Sequence, residues 1–314
     1  MMRSLLLVMK LLVVNMLLLK VQGVYAQAAS GVAFLKVGID AVGLAMGGTG
    51  VAYARGPFAS YWNPAGLATQ EEWQAGGSYH IWVENVRTYS MAFAGSMQSN
   101  LRLGGFVTTT TLGIDELDVY GYFLGINFVT LGGSVAYGEK AWAVGANFRF
   151  ISERVLDENA TGLSGDLGVQ VEVVPGVRLG GAVQQIGWLE RIEGISSTLP
   201  RTIRVGMRVI PLQVVTGQDE TSILQLIWAL DVTHRPMEGA PLWGKGRQQL
   251  RTGVALIVFD LVHLRGGYLS SDPLRRWSLG GGLSWSNLEI NYAYLPFRIG
   301  FGNSGHVLTM TYFW

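Results

Sequence analysis
The stretch Arg275–Ser286, RRWSLGGGLSWS, decides how this chain is read. Trp277, Leu279, Gly281, Leu283 and Trp285 fall on one face of an extended ribbon; Arg276, Ser278, Gly280, Gly282 and Ser284 fall on the other. A period of two marks a strand whose faces meet different surroundings. The split recurs from Leu224, LQLIWALDVTHR, where Leu224, Leu226, Trp228, Leu230 and Val232 oppose Gln225, Asp231, Thr233 and Arg235; Ile227 and Ala229 are apolar intruders on the polar face. RTIRVGMRV from Arg201, WAVGANFRF from Trp142 and LRTGVALIV from Leu250 repeat it.

What solvent the oily face meets follows from composition. The chain has 314 residues, 49% hydrophobic and 14% charged, against about 25% charged in soluble domains. A soluble β-sandwich would turn its polar faces to water and needs more Lys and Glu than this. Residues 1–26 join Arg3 and Lys10 to an apolar run and a small-residue ending, the layout of a signal peptide. Lys10, Asn15 and Lys20 break that run and argue against an anchor helix. Removal of Arg3, Lys10 and Lys20 takes the net charge from +1 to −2, so no basic face exists for a nucleic acid. With no cysteine, an exported chain relies on packing and hydrogen bonds instead of disulfides. No later apolar run reaches the roughly 18 residues of a spanning helix. A closed barrel is the other structure that satisfies its backbone in lipid.

The expectation is therefore an all-β, transmembrane antiparallel barrel over residues 71–314, in the outer membrane of a Gram-negative-type bacterium, with lipids as its surroundings. Strands are expected near 75–83, 86–97, 101–111, 122–137, 141–155, 162–174, 177–186, 201–211, 223–235, 247–259, 262–271, 275–286, 288–296 and 305–314. Their number, about fourteen, is even, as in single-chain barrels of this kind. Pro175-Gly176 and Asn287 read as tight turns, whereas VLDENATGLSG, GWLERIEGISSTLP and HRPMEGAPLWGKG read as long loops. Trp142, Trp228, Trp277, Trp285, Tyr292 and Tyr294 suit interfacial girdles, and the last segment, GHVLTMTYFW, ends on an aromatic residue.

With oily faces outward, Arg149, Glu153, Asp166, Glu172, Arg204, Arg208, Asp231, Arg251, Arg265, Arg276 and Glu289 are expected to line the lumen. Opposite charges there would tie strands together, or form a polar gate. No cofactor is expected: GLAMGGTG lacks the following Lys-Ser/Thr or distant acid of a phosphate or dinucleotide loop. His80, His234, His263 and His306 show no ligand spacing, and no Ser-His-acid set suggests an enzyme. Asn159, in NAT, matches a glycosylation sequon and is expected in a loop.

Residues Ala33–Ala68, AFLKVGIDAVGLAMGGTGVAYARGPFASYWNPAGLA, carry a more specific signal. Phe34-Leu35, Gly43, Met46-Gly47-Gly48, Ala59 and Tyr61-Trp62-Asn63-Pro64-Ala65-Gly66-Leu67 resemble the N-terminal region of the PorV/PorQ outer-membrane proteins, relatives of the FadL long-chain fatty acid transporters. The chain departs from them at ARGPFAS, Ala54–Ser60, where relatives carry an acidic pair. The resemblance implies a plug over residues 27–70, with Gly47, Gly48, Tyr61, Trp62, Asn63, Pro64, Ala65 and Gly66 as its motif. Pro64 fixes φ, Gly66 permits a positive φ and Asn63 bonds to its own backbone, which together would turn the plug into the first strand. A PorV-like role implies secretion-system proteins and secreted cargo as partners, in type IX secretion. A FadL-like role implies a hydrophobic small molecule, for which Phe34, Leu35, Leu44, Met46, Phe58, Tyr61 and Trp62 could line a pocket.

Overall fold
A computed structural model describes residues 35, 37–69, 72–82, 86–112, 125–139, 141–155, 158–190, 199–216, 221–237, 239–272, 274–297 and 304–314. The expected signal peptide and Phe34 lie outside them. Fourteen antiparallel strands form a closed barrel: β1 Gln74–Ile81, β2 Val86–Gln98, β3 Leu101–Leu112, β4 Ile126–Gly138, β5 Trp142–Val155, β6 Glu158–Val174, β7 Val177–Leu189, β8 Thr202–Thr216, β9 Thr221–Pro236, β10 Gly246–Val258, β11 Val262–Leu269, β12 Trp277–Trp285, β13 Leu288–Leu295 and β14 Gly305–Phe313. Each pairs with its sequence neighbours, and β1 pairs with β14 from Gln74↔Phe313 to Ile81↔His306, leaving no free edge.

The alternation read from the sequence sets which way each side chain points. Trp277 is 63% and Leu283 56% exposed on the outer face, while Arg204 and Arg251 are 4% and 6% exposed inside. Met91, Phe93, Leu131, Phe148, Leu167, Val205 and Leu279 continue the outer apolar surface. A belt of this extent fits hydrocarbon, not water. Trp73, Tyr137, Trp142, Trp285, Tyr312 and Trp314 crowd one end of the wall; Trp188, Trp243 and Trp277 stand toward the other. These are the two aromatic girdles of a membrane barrel.

Connections at one rim, 99–100, 139–141, 175–176, 217–220, 259–261 and 286–287, are short. Gly176 at φ +83° completes the turn expected at Pro175-Gly176. The opposite rim carries 82–85, 113–125, 156–157, 190–201, 237–245, 270–276 and 296–304, most of them longer. In outer-membrane barrels the rim of short turns is the periplasmic one. VLDENATGLSG is not a long loop: β6 begins at Glu158, and Asn159 lies within it opposite Arg154. Its Ala160, Gly162 and Ser164 keep the period of two through polar neighbours, so a polar composition disguised a strand.

The head of the chain lies inside the barrel. Its described residues include two short helices, α1 Ala41–Ala45 and α2 Ala59–Trp62, followed by a 3₁₀ turn over Pro64–Thr69. Helix α1 packs against β11 to β14, and the 3₁₀ turn against β3 to β6. The intruders Ile227 and Ala229 are explained here: with Ala255 they bury Met46 of the head. Elsewhere Leu44 packs with Ala293, Leu295 and Val307, and Leu67 with Ala94, Ala136 and Ala143.

Candidate functional site in the barrel lumen
The glycines of the head make room for one indole. Asp40 caps α1 by accepting from Gly43 N at 2.9 Å, and its other oxygen accepts from Trp62 Nε1 at 2.5 Å. Burial pushes the Asp40 carboxyl above its usual range, opposed by these two hydrogen bonds. A Cβ on Gly43 or Gly50 would lie 2.5 or 2.8 Å from the Trp62 ring, so only glycine admits it. Burying such a ring contributes about 1.5–3 kcal/mol or more.

Past α1 the backbone turns through Gly47 and Gly48, at φ +73° and +80°, and its polar groups meet the wall. Gly47 N donates to Ser278 Oγ, which donates in turn to Ala45 O. Gly48 O accepts from Arg204 Nη2 at 2.6 Å and Arg251 Nη1 at 3.1 Å. Asp231 Oδ2 accepts from Gly50 N at 2.8 Å, Val51 N at 3.1 Å and Arg204 Nη2 at 2.8 Å. One carboxylate thus holds both the head and the neighbouring strand.

The Asn63-Pro64 element docks deep in the lumen. Asn63 is extended at φ −160°, ψ 109°, as a residue before proline tends to be, and its Oδ1 accepts from Ala65 N at 3.1 Å. Its Nδ2 donates to Val51 O at 2.6 Å and approaches Val169 O and Gly181 O in the wall at 3.3 and 3.4 Å. A Cβ on Gly145 would meet Ala65 N and the Pro64 carbonyl carbon at 2.5 Å, and one on Gly168 would overlap Asn63 Oδ1. Two expectations are corrected. The motif opens a 3₁₀ turn against β5 and β6, with residues 70–73 still to come before β1. Gly66 is not among the positive-φ residues; it is glycine because a Cβ there would lie 2.5 Å from Ala54 O.

Arg149, Asp166 and Tyr61 form the third anchor. Arg149 is 1% exposed, bonds to Asp166 through Nε and Nη2 at 2.8 and 2.5 Å, and gives Nη2 to Tyr61 O at 3.1 Å. It also stands 4.9 Å from the Tyr61 ring centroid. Asp166 sits at a bulge between β6 and β7, where Gln185, at φ +61°, donates its N–H to Oδ1 at 2.7 Å. Gln184 Nε2 donates to Tyr61 O and Trp62 O.

The other lumen candidates are spread around the wall. Glu172 pairs with Arg178 at 2.7 Å and Glu289 with Arg265 at 3.5 Å. Glu153 and Arg208 are buried, each with polar atoms that find no partner among the described residues. Arg276 is a correction: it is exposed, and Arg275 is buried instead, over the Trp82 ring at 5.3 Å. Strand β12 starts at Trp277, so the bend at Arg276 breaks the alternation extrapolated back to it. Sequence reasoning missed Asp40, Arg178, Gln184 and Arg275, and it placed Arg235 on the polar face of its strand without counting it among the lumen residues. Asp40 stands where a helix N-cap belongs, just before AVGLA, and Arg178 follows the parity of its strand.

Cavities lie beside the head among the described residues. One, of about 330 Å³, lies toward the short-turn rim, lined by Asp40, Arg55, Phe58, His263, Arg265 and Glu289 among others. A second, of about 30 Å³, lies toward the long-loop rim. Of the apolar side chains expected to line a pocket, Phe58 and Trp62 border the larger cavity and Leu35, Tyr61 and Trp62 the smaller, while each also packs in its own cluster: Leu35 with Ile151 and Leu199, and Phe58, Tyr61 and Trp62 with Ile39, Ala92 and Phe106; Leu44 and Met46 are packed as above.

No protein-family model matches the chain, and no curated protein sequence is detectably similar to it. Solved structures do share its fold. The P. putida toluene transporter TodX is similar over 88% of this chain and 99% of its own, at 12% identity and a TM-score of 0.59. The Ralstonia pickettii toluene transporter TbuX covers 88% and 98%, at 17% identity and 0.54. A Pseudomonas aeruginosa FadL homologue covers 87% and 98%, at 12% identity and 0.51. The chain therefore has the fold of FadL-type outer-membrane barrels, a closed fourteen-stranded antiparallel barrel.

Proposed function
We propose that this protein is a non-enzymatic outer-membrane channel for an apolar small molecule, exported by its N-terminal signal peptide, with residues 27–70 as a plug that blocks the lumen at rest. The observation that carries the reading is a membrane-type barrel whose lumen is filled by its own head, in a fold shared with transporters. The outer wall adds support. A groove of about 570 Å³, lined by Gly77, Met91, Phe93, Val107, Leu131 and Met310, lies on the outer face across β1 to β4 and β14. Behind it, on the inner side of the same wall, Gly76 lies against the plug's Phe58, since a Cβ there would lie 2.7 Å from the ring. A PorV-type shuttle for secreted cargo finds no comparable feature in its favour.

The test is uptake of labelled toluene, and separately of a long-chain fatty acid, by cells lacking their own channel. Expression is expected to raise the initial rate for one of them. The chain has no cysteine, so Ser60→Cys with Gly104→Cys offers a clean lock between plug and wall; a Cβ at Gly104 would lie 2.8 Å from Ser60 Oγ. Oxidation should stop uptake and reduction restore it. Rates equal to the empty vector for both solutes would refute the channel.

A further inference from the structure
Four arginines meet on the small cavity toward the long-loop rim. Arg149, Arg204, Arg235 and Arg251 line its space of about 30 Å³ beside Tyr61 and Trp62. That volume exceeds the roughly 10–15 Å³ one water needs and suits a small polar group. Among the described residues two carboxylates serve the four cations: Asp166 pairs with Arg149, and Asp231 with Arg204. Arg235 and Arg251 have no carboxylate at ion-pair distance among the described residues. Both turn to the neutral Gln249 Oε1, at 2.7 and 3.4 Å, and Arg251 shares Gly48 O with Arg204.

The donor count is also uneven. Nε of Arg204, Arg235 and Arg251 and Nη1 of Arg149 are buried and without an acceptor among the described residues. Arg149, Arg204 and Arg251 are each more than nine-tenths buried. Cations stripped of water and left with free donors are costly. The group that would satisfy both the charge and the donors is one whose oxygens share a negative charge, which the planar guanidinium fork matches in pairs.

We propose that this cavity binds one oxyanion, a carboxylate, sulfate or phosphate group, held by Arg235 and Arg251 with Arg149 and Arg204 completing the positive wall. The site lies against Tyr61 and Trp62, so an anion there bears on the same side chains that seat the head. The proposal stands apart from the channel reading and does not require transport. The oxyanion can be a free ion or the head of an amphiphile.

Isothermal titration of the purified full chain in a non-ionic detergent distinguishes them. Sodium phosphate and, separately, laurate are titrated at an ionic strength held constant with sodium chloride. Saturable one-site binding of at least one is expected. The loss of a charge-assisted hydrogen bond in Arg235→Gln or Arg251→Gln should weaken it by about tenfold to hundredfold, with Arg276→Gln unchanged. Phosphate binding without laurate binding identifies a free ion; laurate binding that phosphate displaces identifies an amphiphile head. Should Arg251→Gln fail to give a heat-modifiable barrel on a gel, the half-buried Arg235 carries the comparison. Absence of saturable binding for both probes, or equal affinity in wild type and every folded lumen variant, overturns the proposal.

Discussion

Asp231→Asn tests whether the wall charges hold the head in place. Asp231 is fully buried, and its Oδ2 accepts from Gly50 N, Val51 N and Arg204 Nη2. Asparagine keeps the shape but removes the charge, leaving Arg204 buried without its carboxylate. Breaking a buried pair in this way costs about 3–5 kcal/mol. The head is joined to the wall by side chains and not by the strand ladder, so the loss should appear as local release of the head while the barrel stays closed. The readout is hydrogen exchange at the Gly50 and Val51 amides in detergent. At 1.4 kcal/mol per factor of ten, exchange should accelerate by about two to three and a half orders of magnitude. The ladder amides of β4 and β5 should be unaffected. Adding Arg204→Gln should recover part of the loss, because the stranded cation goes with it. Exchange at Gly50 and Val51 within threefold of wild type would refute the claim that this carboxylate anchors the head.

Further expectations follow from the same contacts. Gly168→Ala drives a methyl into Asn63 Oδ1 and should destabilise the seated head by about 1–3 kcal/mol, read as faster proteolysis within 37–69; unchanged digestion would count against the docking described. Leu131→Arg places a cation on the lipid face at a residue 57% exposed there and should cost about 2–4 kcal/mol in a bilayer if it sits near the midplane, whereas Leu131→Ala should cost much less, both measured by urea unfolding from vesicles. Glu190, at the end of β7, accepts from Thr161 Oγ1 and Thr161 N at 2.7 and 2.8 Å, and these bonds lower its pKa from 4.5. Its contribution is therefore present above pH 4.5 and lost as pH falls through the lower folded value. An NMR titration of its carboxyl should give a midpoint below 4.5 that moves up in Thr161→Val; a midpoint at or above 4.5 in the wild type would remove the tie.

The barrel was legible because lipid outside and charge inside impose one rule on every strand, and that rule leaves a period of two wherever the ladder is regular. Trp277 and Leu283 outside, with Arg204 and Arg251 inside, follow it directly. The rule failed where the ladder did. Arg276 lies in a bend before β12, so parity counted back from Trp277 placed the wrong arginine inside. The polar run at Asn159 hid a strand because its alternation is between polar and small residues. In the head no period exists to read: that Gly43 and Gly50 receive the Trp62 ring, or that Gly66 faces Ala54 O, depends on contacts between residues the chain separates. Ile227 and Ala229 looked like faults in a pattern and became intelligible only once Met46 was found against them.

The position of the head also bears on the order in which the molecule is assembled. Ala41 N donates to Thr309 Oγ1 on the last strand, 268 residues away, while Val51 N reaches β9 and Asn63 touches β6 and β7. Partners so scattered along the chain enclose the head on all sides, and the seam between β1 and β14 completes the enclosure. The ribbon is therefore expected to curl around the head before its two ends zip, using it as a mandrel. A chain beginning at residue 71 is expected to close with much lower yield than the whole, and the same head supplied as a separate peptide after closure is expected to find no way in.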